Sequence, residues 1–198
     1  MTALAGDTFE FKRALRRELR QRRAALDPRQ RLRHAQRATA TLSRSAVWRN
    51  ARTIALYLAS GNELPTVPLL QRAWREGKRT LVPRIADDGH LRFVEIRPGS
   101  RLRRNRYGIG EPVDTQLWPL NRVDLLLLPL VGFDRHGYRL GAGGGFYDRT
   151  LAHRVARRPL CLGWALSIQE VDAVPRDPWD RRMDGVVTEQ GVRRWPIG

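Results

Sequence analysis

Residues 123–149 read VDLLLLPLVGFDRHGYRLGAGGGFYDR: an apolar run, a polar bend, and a glycine run that exits through two aromatics, an acid and a base. The first part, 123–131, is apolar enough to be a strand buried on both faces, and 147–156 reads as a helix. Strand, glycine bend and helix start together form the repeating unit of a parallel α/β sheet. Such a bend gathers free backbone N–H groups in front of the positive end of a helix dipole, which suits an anion such as phosphate. The alternative is a glycine-rich connection without a ligand. Against it, Gly141, Gly143, Gly144 and Gly145 occupy four of five positions. Their backbone entropy cost calls for a reason such as close ligand approach.

The run departs from two common phosphate patterns. A P-loop ends in Gly-Lys-Ser/Thr, whereas Gly145 is followed by Phe146 and Tyr147. A dinucleotide fingerprint needs a sixth-position glycine, and counting from Gly141 that position is Phe146. Asp148 suits either a metal ion beside phosphates or the dipole of the first helical turn. Arg149 is placed to reach phosphate oxygens.

Outward from this unit, Asp7 and Glu10 resemble a capping box ahead of Phe11, Leu15 and Leu19 at helical spacing. Asp27, Pro28 and Gln30 open a second helix with a buried stripe of Leu32, Ala35, Ala38 and Leu42. Residues 53–59 (TIALYLA) read as a strand, 60–65 as a turn carrying Glu63, and Thr66 as the cap of a helix ending near Gly77. Strands follow at 79–84 and 91–96 around a turn at 87–89. Residues 97–121, punctuated by glycine and proline, read as a long ordered loop. After the glycine loop come a strand at 160–166, a loop at 175–184 marked by Pro175, Pro178 and Asp180, and a short strand at 185–188. The predicted fold is α/β: a three-layer, Rossmann-like, mostly parallel sheet with helices on both faces and an N-terminal helical pair, in one domain spanning 1–198. Parallel sheets bind ligands outside the carboxyl ends of their strands. The Glu63 turn, the glycine loop and the 175–184 loop are expected to meet there, which favours a nucleotide-using enzyme over a binding module.

Composition narrows the class. The chain has 198 residues, 41% of them hydrophobic, enough for a real core, and no apolar run of the roughly 18 residues a membrane span needs. No secretory leader is evident. Cys161 is the only cysteine, which excludes an internal disulfide and a cysteine-based zinc site, and Leu160-Cys161-Leu162 suggests a small buried thiol. A cytoplasmic location, no membrane and a monomer are expected. His34, His90, His136 and His153 show no metal-ligand spacing, and Trp164, Trp179 and Trp195 are expected to pack. The net charge is +17, and 35 of the 37 basic residues are arginine. Residues 12–37 carry a surplus of nine positive charges, which attracts polyanions in general. That segment lacks the interleaved aromatics of single-strand binders, so a solvated face with a few residues turned to an anionic ligand is the better reading.

The chain resembles the 5-formyltetrahydrofolate cyclo-ligase family over nearly its whole length. The motifs are Lys12-x-x-Leu15-Arg16, Tyr57-Leu58 with Glu63-x-x-Thr66, and Tyr107-Gly108-Ile109-x-Glu111-Pro112. They continue with Pro129-x-x-x-Phe133-Asp134-x-x-Gly137-x-Arg139-Leu140-Gly141, Gly143-x-Gly145-Phe146-Tyr147-Asp148-Arg149, and Val174-Pro175 ahead of Asp180. The resemblance implies closure of 5-formyltetrahydrofolate to 5,10-methenyltetrahydrofolate with ATP as co-substrate and Mg²⁺ as cofactor. It implies that Lys12 and Arg16 contact ATP phosphates, with Arg139 and Arg149 nearby. Gly141, Ala142, Gly143, Gly144, Gly145, Phe146 and Tyr147 would cradle the triphosphate, the last four also meeting the folate. Leu58 and Glu63 match folate-binding positions, and Tyr107 sits where the family places an aromatic near the pterin. Asp148 and Asp180 match metal positions. Some members carry lysine in place of Gly144 and tyrosine in place of Phe146, so another arginine is expected to supply that charge here. No single catalytic residue is implied. Two other readings use the same features: an ATP-dependent phosphotransferase on another small molecule, and a nucleic-acid-binding protein built on the N-terminal arginines.

Overall fold

The computed structural model describes residues 3–114, 116–152, 154, 158–177 and 179–196. The Asp7 side chain, His153, Ala156 and Pro178 lie outside the described residues. Five helices and thirteen strands are described: α1 (Ala3–Ala24), α2 (Pro28–Arg44), α3 (Ala46–Asn50), β1 (Thr53–Ala55), α4 (Val67–Arg75), β2 (Arg79–Ile85), β3 (Leu91–Ile96), β4 (Leu102–Arg104), β5 (Gly110–Pro112), β6 (Leu117–Trp118), β7 (Leu125–Leu128), β8 (Gly132–Asp134), β9 (Arg139–Leu140), α5 (Phe146–Leu151), β10 (Leu160–Trp164), β11 (Glu170–Val171), β12 (Gly185–Thr188) and β13 (Gly191–Arg194).

The main sheet runs β13-β12-β10-β7-β1-β2-β3-β6. Its middle, from β12 to β2, is parallel, and antiparallel strands close both edges. The four leucines of β7 explain why this sheet needs cover on both sides. Alternation sends Leu125 and Leu127 into one core and Leu126 and Leu128 into the other. The first core is closed by α2, α3 and α4 through Ala35, Leu42, Trp48 and Leu69. The second is closed by α5 through Leu151, together with Val123, Met183 and Trp195. Among the described residues no helix is long and apolar enough to cross a membrane.

The second helix starts where its sequence predicts. The Asp27 carboxylate accepts from Arg29 N (2.7 Å) and Gln30 N (3.3 Å), and the Gln30 side chain accepts from Asp27 N. Other boundaries differ. α1 begins at Ala3, ahead of Asp7, and Phe11 is 67% exposed; Leu32 is 44% exposed. Apolar spacing alone overstated those stripes. The N-terminal helices also part company. α2 lies on the main sheet, whereas Leu15 and Leu19 of α1 pack with Val131, Leu140 and Val174 over a small second sheet, β11-β8-β9. Thr66 makes no cap bond; its hydroxyl accepts from Ala59 N (3.3 Å).

Three further expectations are corrected. The strands predicted at 53–59, 123–131 and 160–166 are shorter: β1, β7 and β10 end at Ala55, Leu128 and Trp164, and the residues after β1 and β7 turn to line the cleft described below. The helix expected over 147–156 is the six-residue α5. Residues 97–121, expected as a long ordered loop, contain secondary structure of their own. They hold the β4–β5 hairpin, β6 at the sheet edge and a 3₁₀ turn at Leu120–Arg122. The hairpin turn is built by Asn105, whose side-chain oxygen accepts from Tyr107 N (2.8 Å) and Ile109 N (3.1 Å), with Gly108 at φ 74°. The glycines and prolines that read as loop punctuation are turn residues of short strands.

Candidate functional site

Chain order reverses between β1 and β7. β2 lies on one side of β1, and β7, β10 and β12 extend on the other. The segments leaving these two strands, with Tyr57 and Leu58 after β1 and Pro129, Leu130 and Val131 after β7, floor a cleft of about 660 Å³. Sheets of this kind bind ligands at that reversal. Glu63 and the glycine loop, through Gly141, Ala142, Gly144 and Gly145, both line it. The cleft is also lined by Tyr107 of the hairpin turn and by Arg139, Phe146, Tyr147 and Asp148.

The glycine loop is tied down by its carbonyls. Arg16 Nε donates to Gly141 O (2.9 Å), Arg20 Nη2 to Ala142 O (3.2 Å), and Arg149 Nη2 to Gly144 O (2.9 Å). The backbone N–H groups of Ala142, Gly143, Gly144 and Gly145 have no acceptor among the described residues. A loop whose carbonyls are claimed by cations and whose N–H groups are unclaimed is electropositive, as anion nests are. Glycine is required at two points, since Gly143 (φ 113°) and Gly145 (φ 66°) lie in the left-handed region. At Gly144 a Cβ would sit 2.6 Å from Phe146 Cε2, so the bare residue lets the Phe146 ring rest on the loop. That ring meets Tyr107 edge to face with centroids 6.0 Å apart. α5 is too short to contribute much dipole, so the nest rests on backbone N–H groups and arginines.

Behind the loop, Arg139 Nη2 donates to Asp148 Oδ1 (2.7 Å) and Arg139 Nη1 to Arg181 O (3.2 Å). Arg139 is buried, and its pairing fixes the Asp148 carboxylate at the edge of the cleft. The described residues of the 175–184 loop, expected in the cleft, do not line it. Lys12 Nζ, itself buried, donates to Asp177 Oδ2 (2.7 Å) and Asp180 Oδ2 (2.6 Å), pinning that loop to α1. Burial pulls the Lys12 ammonium down, but the two carboxylates outweigh it and leave its pKa above the ordinary value. Lys12, Arg16, Gly143, Arg149 and Asp180 are not among the residues that line the cleft. Among the described residues no group of three or more His, Cys, Asp or Glu stands together as a metal cage.

Elsewhere in the cleft, burial raises the Glu63 pKa, offset in part by Ser60 N, which donates to Oε2 (2.8 Å), and by the charge of Arg23. Burial, reinforced by Glu63, pushes the Tyr57 and Tyr147 hydroxyls well above their usual range. The Tyr147 hydroxyl is buried and lacks a partner among the described residues. Sequence reasoning missed Arg20 and Arg23, which also line the cleft, and the Asn105 Nδ2–Glu111 Oε1 bond (2.9 Å) that braces the hairpin turn. The signal for the arginines was present: Arg16, Arg20 and Arg23 recur at i, i+4 and i+7 on one helix face. Cys161 is inert, its thiol pushed up to about 12 by burial. Trp164 and Trp195 pack as expected, but Trp179 is 66% exposed.

Comparison with known proteins adds names to this geometry. The family model described as "5-formyltetrahydrofolate cyclo-ligase family" matches residues 8–189. A 5-formyltetrahydrofolate cyclo-ligase of Escherichia coli (strain K12) is 40% identical over 181 residues, 89% of this chain and 100% of the relative. The NMR structure of Aquifex aeolicus 5,10-methenyltetrahydrofolate synthetase superposes with TM-score 0.82 at 32% identity, covering 94% of each chain. A 5,10-methenyltetrahydrofolate synthetase from Mycoplasma pneumoniae superposes with TM-score 0.73 at 28% identity, covering 90% of this chain and 98% of that one.

Proposed function

Because the chain belongs to the 5-formyltetrahydrofolate cyclo-ligase family, we propose that its cleft holds ATP and 5-formyltetrahydrofolate side by side and joins the formyl carbon to N10. The observation that carries this reading is that Glu63 and the glycine loop line one cleft. A formamide oxygen is a poor leaving group. Its attack on the γ-phosphorus of ATP forms an O–P bond and releases ADP. The N10 lone pair then attacks the activated carbon, and the C–O bond breaks to release phosphate. Loss of the N10 proton leaves 5,10-methenyltetrahydrofolate.

The protein's part is alignment and charge neutralisation. The N–H groups of the loop at 141–145 cradle the triphosphate, with Arg16, Arg20 and Arg149 holding the loop in shape and Arg139 adding charge from behind. One of these arginines takes the place of the lysine that some family members carry at Gly144. Glu63 accepts from the N–H and amino edge of the pterin, Leu58 packs against the ring, and Tyr107 and Phe146 bring aromatic faces to it. Mg²⁺ takes one or two carboxylates alongside phosphates and water. Asp148, oriented by Arg139 at the cleft edge, fits that need; Asp180 joins it if Lys12 turns from its carboxylates to a phosphate. Bound there, the ion would offset charge on the transferring phosphoryl group. The whole chain acts as one domain in this scheme.

Purified protein with Mg²⁺ and 5-formyltetrahydrofolate is expected to give the near-ultraviolet absorbance of the methenyl product only when ATP is added. A flat trace with ATP present overturns the proposal. The raised Glu63 pKa adds a pH dependence. A pterin donor edge prefers the carboxylate, and protonated Glu63 offers one acceptor fewer. Folate affinity is therefore expected to strengthen as pH rises from the ordinary glutamate range through the raised value, and titration calorimetry across that window checks it. Glu63→Gln should bind more weakly and lose the pH slope. Stability runs the other way: within that window the folded protein holds more protons than the unfolded chain, so raising pH removes stability.

A further inference from the structure

Arg23 has no part in the scheme above, yet it lines the same cleft as Glu63. It is 7% exposed, and its position is fixed from two sides. Arg31 Nη1 donates to its backbone carbonyl (3.2 Å), and its own Nη1 donates to Leu130 O (3.3 Å) just past β7. Leu130 O is in turn held by Gln169 Nε2 (2.9 Å), so the anchor is rigid. Among the described residues Leu130 O is the sole protein acceptor the guanidinium meets, and Nε is buried without a partner. A guanidinium carries five N–H donors and keeps its charge at any physiological pH. Holding one inside a cleft with most donors unused is costly unless a ligand supplies acceptors.

The chemistry of the acceptor follows from the neighbour. A carboxylate suits two adjacent donors, a ring N–H and an exocyclic amino group, as on the N3 and N2 edge of a 2-amino-4-oxopteridine. The next atom along that edge, the 4-oxo oxygen, is an acceptor, and only a donor beside Glu63 completes the reading. We propose that Arg23 is a specificity-determining residue that donates to the 4-oxo group of the pteridine, so that Glu63 and Arg23 together select 4-oxo over 4-amino rings. This rests on the folate reading of the Glu63 wall. In a 2,4-diamino ring the 4-position becomes a donor and N3 loses its hydrogen. Arg23 then faces a donor, and Glu63 loses one of its two contacts. Sites built to hydrogen-bond a polar group reject analogues that leave buried partners unpaired.

The test is equilibrium binding to the full chain of 5-formyltetrahydrofolate and of its 2,4-diamino counterpart, with ATP binding as a control. The unsubstituted protein is expected to prefer the 4-oxo ligand by about tenfold or more. Arg23→Met should cut that preference by weakening the 4-oxo ligand alone, leaving the 2,4-diamino ligand and ATP within about twofold and only the share due to Glu63 in place. Equal weakening of both pteridines, or no change in either, overturns the assignment. Should the Met variant lose its cooperative unfolding transition, Arg23→Lys carries the same comparison. It keeps the charge with fewer and differently placed donors, and an undiminished preference there overturns the assignment. Failure of the unsubstituted chain to bind either folate overturns the substrate reading itself, whereas normal binding without ring discrimination overturns only the role of Arg23.

Discussion

Asp148→Asn is expected to lower ATP-dependent ring closure by about a hundredfold while the protein stays folded. The substitution keeps the shape of the side chain and an oxygen for Arg139 Nη2, which now stands 2.7 Å from Oδ1. What disappears is the negative charge at the mouth of the glycine loop. The loop's surroundings are rich in cations, Arg16, Arg20, Arg139 and Arg149 among them. A further net positive charge there favours triphosphate binding in the ground state. The expected signature is therefore a fall in kcat larger than any rise in the KM for ATP, with an unfolding midpoint lowered by only a few degrees. Steady-state turnover at saturating Mg²⁺ over a range of ATP concentrations, with a thermal melt on the same sample, reads these quantities. Full turnover in the variant removes Asp148 from the reacting assembly.

Lys12→Met should destabilise the protein by about 3 kcal/mol, because it strands two carboxylates around a vacated cation site. Lys12, Asp177 and Asp180 form one charge cluster whose side chains are no more than 28% exposed. Removing one partner of such a cluster costs more than the pair contributes, since the remaining charges keep their desolvation penalty without compensation. Denaturant titration measures the loss. The combined variant Lys12→Met with Asp177→Asn and Asp180→Asn should recover part of it, since no unpaired charge remains. If the triple variant is as unstable as the single one, packing of the lysine stem, not charge, holds α1 to the 175–184 loop.

The sequence made some of this architecture plain and hid the rest for identifiable reasons. The leucine run at 125–128 announced a strand covered on both faces, and Asp27, Pro28 and Gln30 announced a helix start, because each signal lies within a few residues. Glu63 and the glycine loop were legible through their motifs. The partners of Lys12 were not: Asp177 and Asp180 lie 165 and 168 residues away, and nothing local marks the pairing. Arg23 was hidden among neighbours. Arg13, Arg17 and Arg22 share its helix, and composition cannot say which arginines turn inward. The hairpin at 102–112 was misread because its strands are three residues each, too short for a pattern of alternation to emerge.

That hairpin has a consequence for how such a protein changes over time. It leaves the sheet edge as a separate two-stranded arm, tied back to β2 where Glu111 Oε1 accepts from Ile85 N (3.1 Å). Its turn is folded by Asn105 and Glu111 from within, and it meets the glycine-loop side of the cleft through the Tyr107–Phe146 edge contact. Lengthening or recolouring its tip would remodel what the cleft admits without disturbing the glycine loop 30 or more residues downstream. Lineages can therefore drift in their choice of one substrate while the machinery for the other stays constant, a separation that the order of the chain itself makes possible.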